Sequence, residues 1–232
     1  MIRALLLDVE GTTTPIDFVT RVLFPFARRR LRAFLDARAG DPALAGDLAL
    51  LRSDHAAERS RGESPPSPDD PAALAEWLMD RDRKATGLKA LQGRIWEEGY
   101  RSGELRSVVY DDVPPALARW RRDGRRIAIY SSGSILAQRL LFAHTAHGDL
   151  TPQIDAYFDT TSGPKKESSS YRRIAGDLGL DPASMLFLSD VPQELEAARA
   201  AGFRTGLSLR PGNAPCDPGP HPALRDFAEV QV

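Results

Sequence analysis

Cysteine is nearly absent from this chain of 232 residues, because Cys216 is the only one, so no disulfide can form within the chain. Long apolar runs are absent as well, since none approaches the roughly 18 residues that a membrane-spanning helix needs. The early run Ala4–Leu7 is interrupted by Asp8 and is too short for the hydrophobic region of a signal peptide. We therefore expect a cytoplasmic protein with no membrane as a partner.

Net charge is also nearly absent, because 31 basic residues face 32 acidic ones and the formal net charge is -1. This balance gives no electrostatic reason to expect nucleic acid as a partner, so an anionic ligand must be held by a local site. Apolar residues at 42% and charged residues at 27% exclude a disordered, collagen-like or coiled-coil chain. The length favours one main domain with a smaller lobe.

Short apolar runs alternate with helical patterns, which predicts an α/β fold with a Rossmann-like, mostly parallel sheet. Polar residues follow three of these runs, and the carboxyl ends of parallel strands border one crevice, so we expect these residues to converge there. The predicted strands are Ala4–Leu7, Ile127–Tyr130, Met185–Leu188 and Thr205–Leu209.

More than a hundred residues separate the first two strands, which is too many for a simple crossover. Helical periodicity dominates there, and the loop Gly62–Pro71 is too rich in proline and serine for regular structure. We therefore predict a core of residues 1–16 and 108–232 and a helical cap domain of residues 17–107, inserted after the first strand. The predicted helices are Val19–Arg38, Ala72–Met79 and Leu88–Tyr100 in the insert, and Val113–Asp123, Ile135–Phe142, Ser168–Leu178 and Pro192–Ala201 in the core.

Two candidate sites follow the first two strands. Asp8 and Glu10 would face the same side in extended geometry, and a pair of carboxylates there favours a bound cation, although a capping loop explains the same residues. An ionised carboxylate can attack phosphorus while a neighbouring acid protonates the departing oxygen. Ser131 and Ser132 precede a helix, where hydroxyl and N–H groups can bind an anion or simply cap the helix.

Two further candidates lie later in the chain. A lysine at Lys165 or Lys166 could neutralise a phosphoryl group, although both could also lie on a solvated loop. Asp190 follows the third strand and could be an oxygen ligand for Mg²⁺. Glu194, four residues on, could reach the same site or offset the positive start of a helix.

The order of these residues resembles the haloacid dehalogenase-like hydrolases. Longer segments are similar to the enolase-phosphatases of methionine salvage, whose variant of the second acidic position is glutamate. These segments are DVEGTTTPIDFV, LKALQGRIW, YSSGS followed by AQRLLF, SSSYRRIA, FLSDVPQELEAARAAG and RPGN. The segment Gly62–Pro71 and the tail after Asn213 match no part of the family, so we expect surface variation there.

The resemblance implies a Mg²⁺-dependent monomer acting on 2,3-diketo-5-methylthiopentyl-1-phosphate. It implies Asp8 as nucleophile, Glu10 as acid and base, and Lys165 as a catalytic and phosphate-binding residue. Ser131 and Ser132 match the other phosphate-binding positions. Asp8, Glu10 and Asp190 match the metal positions.

Several alternatives remain open from the sequence. Another Mg²⁺-dependent phosphatase or phosphomutase of the superfamily would use the same residues, and a non-catalytic binding module could keep the scaffold. A hydrolytic dehalogenase would not need Mg²⁺, which Glu10 and Asp190 argue against. The base for enolisation is either Glu10 or a cap residue. Candidates for an apolar wall around the methylthio group, which could equally be core residues, are Phe18, Trp77, Trp96 and Tyr100.

Overall fold

The computed structural model describes residues 1–231 and divides into two compact units. One unit comprises Met1–Val19 and the chain from Arg106 onward, and the other comprises Thr20–Leu105. The predicted boundaries, after residues 16 and 107, lie within three residues of this division. No helix in the described part of the chain has both the length and the apolar character to cross a membrane.

The first unit is built on a parallel six-stranded sheet in the order β3-β2-β1-β4-β5-β6. Because β1 lies between β2 and β4, the strand order reverses beside β1, where ligands bind in open α/β sheets. Leu7 pairs with Ile129 on one side and with Leu188 on the other, so the residues after these strands emerge at the same edge. The strands are β1 Ala4–Leu7, β2 Arg126–Tyr130, β3 Ala156–Phe158, β4 Met185–Ser189, β5 Arg204–Ser208 and β6 Ala223–Leu224.

The α/β prediction and its four strands are confirmed, with shifts of at most one residue at the strand ends. The sequence patterns did not reveal β3 and β6, which have three and two residues and occupy the two edges of the sheet. Segments this short carry too few positions to show an alternating pattern.

Helices of this unit pack their apolar faces on the sheet. Tyr171 is fully buried, and its ring contacts those of Tyr130, Phe187 and Phe203 at centroid distances of 5.6, 5.1 and 5.7 Å. The four helices predicted for the core are confirmed to within one residue at their ends, and a short helix, α1, precedes them. The helices are α1 Ile16–Phe18, α6 Val113–Arg122, α7 Ile135–Ala143, α8 Ser168–Leu178 and α9 Pro192–Ala200.

The segment after Asn213 is part of this fold, which corrects the expectation of surface variation. β6 pairs with β5, and Phe227 is buried against Trp120 at a ring centroid distance of 5.3 Å. Buried His221 contacts Thr205 Oγ1 at 2.7 Å and Glu196 Oε1 at 3.0 Å.

The second unit consists of helices, and every strand of the described chain lies outside it. The prediction missed α3, in which only Leu51 and Glu58 are buried, so its apolar periodicity is weak. Asp70 caps α4 by accepting a hydrogen bond from Ala73 N at 2.9 Å, so Pro71 belongs to the helix and not to the preceding loop. The helices are α2 Phe24–Ala37, α3 Ala45–Ser60, α4 Pro71–Asp80 and α5 Thr86–Arg101.

Two of the aromatic candidates for an apolar wall are core residues of this unit. Trp96 and Tyr100 are buried, and the Trp96 indole N–H donates to Leu23 O at 2.8 Å. Trp77 is half-buried, with the Arg81 guanidinium 4.0 Å from its ring centroid.

Candidate active site

Asp8 lies directly after β1, at the point where the strand order reverses. Its carboxylate is buried, and its two oxygens have different partners. Oδ1 accepts hydrogen bonds from Val9 N at 2.8 Å and from Lys165 Nζ at 2.6 Å. Oδ2 accepts from Ser189 Oγ at 3.1 Å. The orientation of the carboxylate is therefore set mainly by the two donors to Oδ1.

The turn after Asp8 brings the chain close to other oxygens of the site. Gly11 has a φ of +67°, and a Cβ there would lie 2.3 Å from Asp190 Oδ2 and 2.9 Å from Asn213 Oδ1. A side chain would thus be excluded by both conformation and contact. The chain bends at Val9, so Glu10 is not in the extended geometry that the sequence pattern suggested. Glu10 is partly exposed and forms an isolated bridge with Thr14.

Lys165 joins two buried carboxylates. Its Nζ lies 2.6 Å from Asp8 Oδ1 and 2.6 Å from Glu194 Oε2, and its side chain is 9% exposed. Burial alone would lower the pKa of Lys165, but the charges of Asp8 and Glu194 outweigh burial and raise that pKa above its ordinary value. Lys166 is exposed, so the structure brings Lys165 and not Lys166 to Asp8.

The loop that carries Lys165 is fixed by side chains of α8. Ser170 Oγ donates to Pro164 O at 2.7 Å, and Tyr171 OH donates to Lys165 O at 2.7 Å. The Tyr130 hydroxyl donates to Gly163 O at 2.9 Å from the neighbouring strand. The core aromatic residues therefore set the position of the lysine backbone.

Ser189 and Glu194 complete a closed network with Asp8 and Lys165: of the two alternatives for Glu194, the structure shows that it reaches the site, whereas the contacts of Ser189 were not predicted. Ser189 Oγ lies 3.1 Å from Asp8 Oδ2 and 3.1 Å from Glu194 Oε2, and accepts from Val191 N at 3.2 Å. Because a hydroxyl has one proton, it can donate to only one of the two carboxylates at a time. Burial and the charge of Asp8 raise the pKa of Glu194, while Lys165 opposes the shift. For Ser189, the only sequence signal was its place as a polar residue at the end of a buried strand.

Asp190 is the second carboxylate beside Asp8. Burial, and then the negative charge of Asp8, raise its pKa to about 7. Two carboxylates that destabilise each other in a partly buried place favour a bound cation. Among residues 1–231, no three histidine, cysteine, aspartate or glutamate side chains are arranged around a metal position. Mg²⁺ commonly takes one or two carboxylates and retains several waters, so Asp8 and Asp190 fit it as a pair.

The serine loop follows β2, next to Asp8 in the sheet. Ser131 is buried, its N–H donates to Phe158 O at 3.2 Å, and its Oγ accepts from Gly133 N at 3.1 Å. Ser134 caps α7, because its Oγ accepts from Ala137 N at 3.3 Å. The capping role therefore falls to Ser134, which leaves Ser131 and half-buried Ser132 in the loop before the helix.

Gln138 is a further residue whose contact with this loop the sequence did not predict. Its side chain is buried, and its Nε2 donates to Gly133 O at 2.8 Å and to Phe158 O at 2.9 Å. The amide thus holds the carbonyl of the serine loop against the end of β3.

Arg210 fixes the turn after Asp8 from the other side. Its Nε donates to Thr12 O at 3.1 Å, and its two Nη atoms donate to the Asp112 carboxylate at 2.9 and 2.8 Å. Its guanidinium carbon lies 4.6 Å from the ring centroids of both Tyr110 and Phe227. The sequence showed only the segment RPGN, without a role for its arginine.

The carboxyl edge of this parallel sheet carries a buried carboxylate, a lysine, a second acid and a serine loop. This combination is typical of one class of hydrolase. The haloacid dehalogenase-like hydrolase family matches residues 2–202, and the chain belongs to it. Enolase-phosphatase E1 of Synechococcus elongatus is 52% identical over 233 residues, which cover 99% of this chain and 98% of that protein. Within the hydrolases, this chain belongs to the enolase-phosphatase E1 family, which confirms the resemblance seen in its sequence.

Two further comparisons agree with this assignment. The probable bifunctional methylthioribulose-1-phosphate dehydratase/enolase-phosphatase E1 of Oryza sativa subsp. indica is 46% identical over 98% of this chain, which spans 47% of that protein. The crystal structure of Unknown transcript 4 protein from Saccharomyces cerevisiae is 34% identical, with a TM-score of 0.82. That match covers 99% of this chain and 100% of the yeast chain.

Proposed function

We propose that this enzyme converts 2,3-diketo-5-methylthiopentyl-1-phosphate, through an enol-phosphate, to 1,2-dihydroxy-3-keto-5-methylthiopentene and phosphate in methionine salvage. The relatives at about 50% identity over the full chain support this reaction. The observation that carries the phosphatase step is Lys165 Nζ, 2.6 Å from the buried Asp8 carboxylate. A cation at this position can offset the repulsion between an attacking carboxylate and a phosphate dianion.

Asp8 serves as the nucleophile in this proposal. One of its oxygens forms a bond to phosphorus while the bond from phosphorus to the substrate oxygen breaks, and Glu10 gives its proton to that departing oxygen. Water then attacks the phosphorus of the aspartyl-phosphate, Glu10 takes a proton from it, and the bond between phosphorus and Asp8 breaks. The sum is one ester and one water converted to one alcohol and one phosphate.

The remaining site residues bind and orient the phosphate. Ser131 and Ser132 supply hydroxyl and N–H donors from the loop before α7, and Lys165 supplies charge. Mg²⁺, when bound by Asp8 and Asp190 with Glu10 beside it, supplies further positive charge for the phosphoryl oxygens. For the enolisation step, we propose Glu10, a carboxylic acid residue of the first unit, as the base. Its carboxylate would remove the proton from the carbon next to the carbonyl.

We also propose that the protein acts as a cytoplasmic monomer on a free metabolite. The formal net charge of -1 supports a free metabolite as the partner, because it offers no general attraction to nucleic acid or to an anionic membrane.

Asp8→Asn tests the proposed nucleophile. We expect it to abolish phosphate release from the diketone phosphate with Mg²⁺ present, because a neutral amide cannot attack phosphorus as the carboxylate does. The measurement is inorganic phosphate release together with ultraviolet absorbance of the enol intermediate. Asp177→Asn is the control, because Asp177 is an exposed residue of α8 and its loss should leave turnover unchanged. Near-normal turnover in Asp8→Asn would refute the assignment.

A further inference from the structure

The segment Arg210-Pro211-Gly212-Asn213 forms a tight turn after β5. Asn213 N donates to Arg210 O at 3.1 Å, and Gly212 has a φ of +90°. Proline second and a glycine with positive φ third are the residues that a type II turn requires. The turn presents the Asn213 side chain to the loop after β1.

The orientation of the Asn213 amide is fixed by two carbonyl groups. Its Nδ2 donates to Gly11 O at 2.9 Å and to Ser208 O at 3.1 Å. Carbonyl oxygens only accept hydrogen bonds, so the nitrogen must face them and the oxygen must face the other way.

The oxygen of the same amide is buried and lacks a hydrogen-bond partner among the described residues. Such an acceptor is unfavourable by about 1–3 kcal/mol unless something donates to it. Asn213 Oδ1 and Asp190 Oδ2 both approach within 3 Å of the position that a Cβ would take on Gly11. An amide oxygen that lacks a donor and a carboxylate oxygen thus converge beside one glycine.

We propose that Asn213 Oδ1 accepts a hydrogen bond from a water molecule of the Mg²⁺ hydration shell at Asp190. This inference rests on the Mg²⁺ site of the proposed function. Mg²⁺ gives up its waters reluctantly, and a water bound to a cation is a strong hydrogen-bond donor. Such a water needs an acceptor from the protein. Asn213 is a positioning residue in this role, since it acts through the bound water.

Titration calorimetry of the full chain with MgCl₂ alone, without substrate, tests the proposal. We expect Asn213→Ala and the volume-conserving Asn213→Leu to bind Mg²⁺ about 10–100-fold more weakly than the wild type, which is the usual effect of losing a partner of a metal's bound ligands. Asn213→Asp loses the Nδ2 donor, but it keeps an acceptor oxygen and adds a negative charge. We therefore expect its Mg²⁺ affinity to equal or exceed that of the wild type.

Ala214→Asp is the matched control, because it adds the same charge at the exposed neighbouring residue and should leave Mg²⁺ affinity unchanged. Wild-type affinity in Asn213→Ala would overturn the proposal. Equal weakening of Mg²⁺ binding in Asn213→Ala and Asn213→Asp would also overturn it, because only the Nδ2 contacts would then matter.

If Asn213→Ala does not fold, the test rests on Asn213→Asp. A loss of Mg²⁺ affinity in Asn213→Asp that Ala214→Asp does not share then overturns the proposal on its own. A wild-type chain that binds no Mg²⁺ would instead refute the metal of the proposed function, and this inference with it.

Discussion

Lys165 is the residue on which the charge balance of the site depends. Two buried carboxylates, of Asp8 and Glu194, each lie 2.6 Å from its ammonium group, so a single positive charge faces both of them. Glu194 draws the same ammonium group that would meet a phosphate, and Ser189 shares its single proton between Glu194 and Asp8. The contacts of Lys165 with Asp8 and Glu194 thus hold its ammonium group in place before a phosphoryl group binds.

Lys165→Met should destabilise the protein by about 3–5 kcal/mol, because it leaves two buried carboxylates without a counter-charge. Urea unfolding at pH 7 measures the free energy of unfolding. Adding Glu194→Gln to Lys165→Met should recover part of the loss, since it removes one of the uncompensated charges. Lys166→Met is the control, and its exposed side chain should change stability by less than about 0.5 kcal/mol. Equal effects at the two lysines would contradict the buried-pair account.

The pH dependence of this stabilisation follows from the raised pKa of Lys165. A group whose pKa is higher in the folded state stabilises fully below its unfolded pKa, near 10.5 for lysine, and the effect is lost as the pH rises through the folded value. We therefore expect the stability gap between the wild type and Lys165→Met to persist undiminished in urea titrations from pH 8 to about pH 10. A gap that widens with pH within this range would contradict the raised pKa, because it would mean that the folded protein releases the lysine proton below the unfolded pKa.

At the scale of elements, the turn Arg210–Asn213 and the turn after β1 form one unit. Arg210 donates to Thr12 O and Asn213 to Gly11 O, so consecutive carbonyls of the loop beside Asp8 are held by the two ends of a single turn. The Arg210 side chain is 3% exposed, and its guanidinium is paired with the Asp112 carboxylate through two nitrogens.

Arg210→Met should lower stability by about 3–5 kcal/mol, because it leaves the Asp112 carboxylate without its counter-charge and the Thr12 carbonyl without the Arg210 donor. For a protein of this size, that corresponds to a melting temperature lower by about 6–20 °C. Arg121→Met is the matched control, because Arg121 also pairs with an aspartate, Asp155, through contacts of 2.7 and 2.8 Å but is 40% exposed. We expect less than about 1 kcal/mol from it. A comparable loss in calorimetric melting of both variants would show that burial does not distinguish the two pairs.

Local and long-range features differ in how far the sequence could predict them. The apolar runs Ala4–Leu7, Ile127–Tyr130 and Met185–Leu188 are followed directly by Asp8, Ser131 and Ser189. The place where the site residues meet could therefore be predicted from the strand ends. The contact of Arg210 with Thr12 joins residues 198 positions apart, and no local pattern specifies such a pair. The roles of Ser189 and Gln138 likewise depend on neighbours that only the folded chain brings together.

At the scale of the whole molecule, the α/β unit is assembled from two distant segments of the chain. β1 comes from the first segment and pairs with β2 through four residues on one side and with β4 through four residues on the other. All four residues of β1 are buried, with exposures of 0%. The sheet is therefore continuous only when β1 is present.

A fragment that begins at Arg106 should not fold cooperatively, although it contains five of the six strands. Without β1, the edges of β2 and β4 lose their hydrogen-bonding partners, and the apolar faces that cover Leu5, Leu6 and Leu7 are exposed to water. The measurement is far-ultraviolet circular dichroism during urea unfolding. A fragment of the full chain that ends at Arg225 is the comparison. It retains β1 and all six strands but lacks Phe227, so it should keep a cooperative transition at lower urea concentration. A sharp transition in the fragment without β1 would contradict the view that this strand is the centre on which the unit is built.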